Sequence, residues 1–124
     1  MKKIELEIYE APPSINTFYG HTGNRRYITA RGRRFKDYIE NHLQTLKSEG
    51  KIVSLGDARL KVEVLLYFKG KRLRDLDNYL KTLIDCFKGI LFIDDEQIDW
   101  IEAKRFYHAP CNKVCVTIRV LKAR

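Results

Sequence analysis

Three separated stretches of this chain alternate apolar and polar residues with a period of two, and no other feature constrains its fold as tightly. Ile4, Leu6 and Ile8 fall on one side of residues 3–9, with Lys3, Glu5 and Glu7 on the other. Leu60, Val62, Val64, Leu66 and Phe68 do the same over 59–68, and Val114, Val116, Ile118 and Val120 over 113–121. Side chains on a strand point alternately to opposite faces, so each stretch is a strand with one face buried. Several such strands need a sheet, and the sheet needs a cover.

Two helices supply the cover. Phe35, Ile39, Leu43 and Leu46 recur at spacings of four, four and three, an apolar helical stripe that Gly50 stops. Leu80, Leu83, Ile84 and Phe87 form a second stripe from about residue 78 to 88, ended by Gly89. Pro12 and Pro13 end the first strand because they lack ladder donors. The stretch after them, containing Gly20 and Gly23, reads as a polar loop. Leu91-Phe92-Ile93 is a short apolar run, and residues 99–107 read as a further strand. The expected order is β-α-β-α-β-β: an α+β (mixed α/β) fold with a small mixed sheet under two helices. The 124 residues suit one domain, 1–124, large enough to bury a core without disulfide or metal.

Charge narrows the function. Lys and Arg number 24 against 16 Asp and Glu, a net charge of +8. Such a surface attracts polyanions. Charged residues interrupt every apolar run well short of the roughly 20 residues of a membrane span, so no membrane partner is expected. The N-terminal segment has no apolar core of a secretory signal. Cys86, Cys111 and Cys115 are odd in number and lack CxxC spacing, which points to reduced thiols and a cytoplasmic location. His21, His42 and His108 are too scattered for a zinc motif.

Within this basic chain the acid is concentrated. Six of the eight aspartates, Asp75, Asp77, Asp85, Asp94, Asp95 and Asp99, lie within residues 75–99. Lys69, Lys71, Arg72 and Arg74 precede them; Lys104 and Arg105 follow. Carboxylates suit Mg²⁺ or Mn²⁺, and a metal-loaded cluster attracts the phosphate that bare carboxylates would repel. With a helix starting after Asp77, Asp75 and Asp77 sit two apart on extended backbone and point the same way. Lys81 is one helical turn beyond Asp77. Asp94-Asp95, after the apolar run read as a third strand, can bring another carboxylate to the same point. Plainer readings stand beside this one. Asp77 can be a helix N-cap, Asp94 and Asp95 turn residues, and Lys81 a partner of Asp77 or Asp85.

A second basic group, Arg25, Arg26, Arg31, Arg33 and Arg34, is interleaved with Phe18, Tyr19 and Tyr27. Arginines contact backbone phosphates and exposed aromatics stack on unpaired bases, so this group, with Lys71, Arg72 and Arg74, is the expected nucleic-acid-binding set, beside the plainer reading of a solvated loop and helix face.

Arg74-Asp75-Leu76-Asp77-Asn78 with Lys81, followed by Ile93-Asp94-Asp95-Glu96-Gln97-Ile98, resembles the RusA family of Holliday-junction resolvases. Pro12-Pro13-Ser14 with Asn16 is similar to the segment after that family's first strand. The resemblance runs through nearly the whole chain in order. It implies a magnesium-dependent, homodimeric endonuclease that resolves four-way DNA in recombination and repair. It also implies that Asp75, Asp77 and Asp95 are catalytic metal ligands, with Lys81 as a further catalytic residue. The alternative is a non-enzymatic nucleic-acid-binding protein whose acidic cluster is structural.

Overall fold

The computed structural model describes residues 3–71 and 75–122. The alternating stretches form strands β1 (Lys3–Ile8), β4 (Arg59–Tyr67) and β6 (Lys113–Lys122), joined by β5 (Ile98–Phe106). They make one four-stranded sheet in the order β1-β6-β4-β5. β6 lies between β1 and β4 and is antiparallel to both, whereas β4 and β5 are parallel. A parallel pair needs a crossover. Helix α3 (Leu76–Phe87) lies within that crossover. The mixed α+β class and the order of the long elements agree with the sequence.

The even-numbered residues of the alternating strands are buried through Ile8, Leu66 and Ile118, while Val120 near the end of β6 is partly covered. Leu60, Val62, Val64 and Ile118 are completely so, and they form one core with Phe35, Ile39 and Leu43 of helix α2 (Ala30–Ser48) and Leu83 and Phe87 of α3. The other sheet face carries ionic ladders such as Lys61 with Glu63 and Glu102, and Arg119 with Glu63. Among the described residues no helix is long and apolar enough to cross a membrane.

Three expectations need correction. The supposed loop before α2 contains a short helix α1 (Ile15–Phe18) and a hairpin, β2 (Tyr19–Thr22) with β3 (Arg25–Ile28). Its turn is Gly23-Asn24, with Gly23 at φ 59°. Two-residue hairpin turns need such left-handed backbone, which glycine adopts freely. The hairpin escapes a periodicity search because its strands bury no alternating face.

Leu91-Phe92-Ile93 is not a strand. Leu91 and Phe92 are buried in a turn, with only a single bridge from Lys88 to Phe92, and Ile93 is exposed. Strand β5 comes after the Asp94-Asp95 doublet. A 3-10 turn at Asp95–Gln97 joins the two.

Helix α3 begins earlier than its apolar stripe suggests, at Leu76 with Asp75 as N-cap. Asp75 is extended, at φ −76° and ψ 117°, but Asp77 lies within the first helical turn. The strand-like geometry expected for this pair therefore does not apply.

Candidate active site

Helix α3 presents the motif residues in order along its first two turns. The Asp75 side chain makes no cap hydrogen bond, so its carboxylate is not committed to closing the helix. Asp75 and Asp77 are both exposed. Asp77 sits where the unpaired amides of the helix start favour negative charge. Lys81 follows one turn later, on the side of the helix that carries Asp77.

The Lys81 ammonium lies between two carboxylates, 3.2 Å from Asp85 Oδ1 and 3.2 Å from Asp95 Oδ2. Hydrogen bonding to Asp85 is the chief cause that raises its pKa above the ordinary lysine value, outweighing partial burial, with Asp95 adding to it. Lys81 is therefore a fixed cation at neutral pH. Of the partners open to it from sequence, the structure selects Asp85 and adds Asp95.

The acidic doublet is divided between two lysines. Asp95 faces Lys81, and Asp94 pairs with Lys88 at 3.2 Å. Hydrogen bonding to Asp95, then to Lys88, holds the Asp94 carboxyl below its usual range.

Gln97 fixes this turn. It is 2% exposed, yet every hydrogen-bonding position of its side-chain amide is used. Its Oε1 accepts from the amides of Ile93 and Asp94, each at 2.8 Å. Its Nε2 donates to the carbonyls of Gly56 and Ala58, also at 2.8 Å. The glutamine of the motif thus ties the carboxylate-bearing turn to the loop before β4.

Among the described residues no three carboxylate, imidazole or thiol groups converge closely enough to hold a metal by themselves. The donor chemistry nevertheless suits a hard cation: Asp75, Asp77 and Asp95 offer only oxygen. Mg²⁺ is ordinarily bound through one or two carboxylates, with waters and substrate phosphate completing its shell. An open arrangement fits that habit.

The basic residues divide by location. Arg25 and Arg26 are on β3, and Arg33 is exposed on α2. Arg31 and Arg34 line a cleft of about 580 Å³ with Tyr9, Lys69 and Asn112. Arg31 also borders a smaller cleft shared with Ser14 and with Tyr79 of α3. Lys71 is exposed, while Arg72 and Arg74 lie outside the described residues. Lys69 completes this cleft; its own amide donates to Asn112 Oδ1 at 2.9 Å.

The interleaved aromatics do not all serve as stacking platforms. Phe18 is 1% exposed and belongs to the core. Tyr19 is half-buried, its hydroxyl donating to Asp85 Oδ2 at 2.9 Å, with the Arg26 guanidinium 4.0 Å from its ring centre. Burial first, and then Asp85, raises the Tyr19 pKa, so the phenol keeps its proton and donates. Only Tyr27 of the three is well exposed. Sequence patterning alone did not separate these roles, because a buried, a bridging and a free aromatic look alike in a polar stretch.

Residues 9–119 match the endodeoxyribonuclease RusA family. The crossover junction endodeoxyribonuclease of Enterobacteria phage HK97 is 31% identical over 90% of this chain and 91% of its own length. That of phage 82 is 30% identical over 70% of each chain. The Escherichia coli K12 protein of the same name is 28% identical over 70% of each. The matched span runs from just after β1 into β6 and takes in α3, the doublet turn and the arginine-bearing hairpin. This chain therefore belongs to the RusA endodeoxyribonuclease family.

Proposed function

We propose that this protein is a divalent-metal-dependent endonuclease that cuts four-way DNA junctions as a two-fold pair. The observation that carries the reading is Lys81, fixed as a cation between Asp85 and Asp95, one turn from Asp77 and on the helix that Asp75 opens. Membership of a DNA endonuclease family, and relatives named for crossover junctions, support the substrate. Cutting of four-way DNA would serve recombination and repair, and three cysteines without CxxC spacing support a reducing, cytoplasmic location.

Asp75, Asp77 and Asp95 would hold Mg²⁺, or Mn²⁺ in its place. A bound ion of this kind supplies Lewis-acid polarisation of the phosphate and activation of a water. The chain's own residues do the remaining work. By holding that ion, the aspartates would set where the oxygens of the scissile phosphate can approach. Water attacks phosphorus in line, and the opposite P–O ester bond breaks, leaving a phosphomonoester and a hydroxyl. Lys81 neutralises the charge that builds on the phosphate oxygens or the leaving oxygen, a contact strongest in the transition state. Arg25, Arg26, Arg31, Arg33, Arg34 and Lys71 contact backbone phosphates away from the cut, as would Arg72 and Arg74. Tyr27, the exposed aromatic, faces an unpaired base.

A second reading has one observation in its favour. Lys81 is satisfied by ion pairs as it stands, as it would be in a binding protein whose acidic cluster is structural. Incubation of labelled four-way DNA, duplex DNA and RNA with Mg²⁺ separates the two. Paired nicks confined to the four-way substrate and abolished by EDTA are expected. Binding without cutting would leave the structural reading, and cutting that survives EDTA would remove the metal from the mechanism.

A further inference from the structure

The lysine at the centre of the proposed reaction is also held by Asp85, which lies outside the matched motif. Asp85 is one turn beyond Lys81 on α3, and its side chain is 17% exposed, against 46% for Lys81 and 37% for Asp95. It is the most buried of the three. Both of its oxygens are committed: Oδ1 to the Lys81 ammonium at 3.2 Å and Oδ2 to the Tyr19 hydroxyl at 2.9 Å. Tyr19 comes from the first strand of the hairpin, 66 positions away in sequence. The Phe18 ring packs edge-on against it at 4.7 Å, and the Arg26 guanidinium lies 4.0 Å from its ring centre.

Resting on the nuclease reading above, we propose that Asp85, anchored by Tyr19, is the positioning residue that aims Lys81 at the scissile phosphate, so that the β2–β3 hairpin braces the active site. A lysine side chain has four rotatable bonds and a strongly hydrated head, and left alone it samples many positions. Asp95 by itself is a poor anchor. It is more exposed, and in the proposed reaction its carboxylate has a second duty. Asp85 has no such duty. With one oxygen fixed by Tyr19 it cannot swing away, and the other keeps the ammonium within reach. The hairpin's contribution is distinct from phosphate contact: Tyr19 and Arg26 stack on each other and thereby hold a carboxylate that holds a cation. Small errors in such placement cost rate rather than affinity.

Four substitutions and one double variant test this on the full chain. Asp85→Asn keeps the shape and can still accept from Tyr19, but loses the charge that holds Lys81. Tyr19→Phe removes only the hydroxyl, and serves if Asp85→Asn does not fold. Single-turnover cutting of saturating labelled four-way DNA with Mg²⁺ gives the rate, and gel shift in Ca²⁺ gives the affinity. Asp85→Asn should cut about tenfold or more slowly. Its junction affinity should stay within about twofold, with the thermal midpoint retained. Tyr19→Phe should show the same pattern to a smaller degree, and Asp85→Glu should recover part of the rate. In the Lys81→Ala background, Asp85→Asn should add no further loss, because the group it positions is gone.

Losses that multiply in the double variant would show that Asp85 acts independently of Lys81, and would overturn the proposal. Near wild-type cutting by both Asp85→Asn and Tyr19→Phe would overturn it too, while leaving the nuclease reading intact. A wild-type chain that binds four-way DNA and never cuts it would overturn both.

Discussion

Asp77 shows how a helix boundary redefines a residue without removing it from the site. Aspartate is a residue that helix N-caps favour, and the sequence pattern points to Asp77 as the cap. The structure gives the position to Asp75 and puts Asp77 in the first turn, where its charge meets the positive end of the helix dipole. Asp77→Asn should therefore abolish cutting while keeping junction binding, and should also cost about 0.3–1 kcal/mol in chemical denaturation. Asp75→Asn and Asp95→Asn should likewise abolish cutting. Near wild-type cutting by Asp77→Asn would reduce this residue to a helix-end charge. Lys81→Ala should slow the reaction far more than it weakens binding, whereas Arg33→Ala or Arg34→Ala should weaken binding. Each lost phosphate contact should flatten the salt dependence by about one unit of log–log slope. Equal effects of both kinds of substitution on rate and affinity would erase the distinction. These candidate donors stand out in the sequence because donor type and spacing mark them. The pairing of Lys81 with Asp95 was not, because it joins two elements whose packing the local sequence does not state.

At the scale of elements, the long strands and helices were readable because each buries one face, and periodicity records burial. The hairpin was not, since it buries little and is held instead by its Gly23-Asn24 turn and by Tyr27 lying over Gly20. A Cβ on Gly20 would meet the Tyr27 ring at 2.5 Å. The Gly-Asn pair was the available signal. Two substitutions probe how these elements hold the site. In Gln97→Leu, four partner groups lose their hydrogen bonds, and a buried unsatisfied polar group costs about 1–3 kcal/mol. Equilibrium unfolding should show a loss of about 3 kcal/mol or more, and the doublet turn should loosen. A loss near zero would mean that Gln97 does not pin the turn. Gly32, in the first turn of α2, donates its amide to the capping Thr29 Oγ1 at 3.1 Å. Replacing it with alanine should gain about 1 kcal/mol of helix propensity. The new Cβ, however, would lie 2.5 Å from the backbone oxygen of Phe18. That carbonyl is fixed, accepting from the Thr29 amide and hydroxyl, and overpacking costs about 1–3 kcal/mol. The clash wins, so Gly32→Ala should lower the unfolding midpoint. A raised midpoint would show that α2 and α1 can separate freely.

For the whole molecule, strand order was out of reach of the sequence. β1 and β6 pair from nearly opposite ends of the chain, and alternation says which face is buried but not which neighbour is bonded. What the architecture does decide is the number of sites: one helix α3 and one doublet turn per chain give one Asp75, Asp77 and Asp95 set. Resolving a four-way junction into two duplexes takes two symmetric incisions on strands related by a two-fold axis. A C2 pair is the commonest way for a small protein to duplicate a site with that symmetry. The chain should therefore act as a homodimer, and light scattering at micromolar concentration should give about twice its 14.7 kDa mass. Symmetry also sets the outcome for a mixed pair. A dimer with one Asp77→Asn subunit retains one complete set, so it should nick one strand of the junction and fail to deliver the paired cut efficiently. Nicked-circle and linear products of a cruciform plasmid separate these events on one gel. A protein that stays monomeric on DNA and still makes both incisions together would show that one site visits both strands, and the two-fold argument would fail.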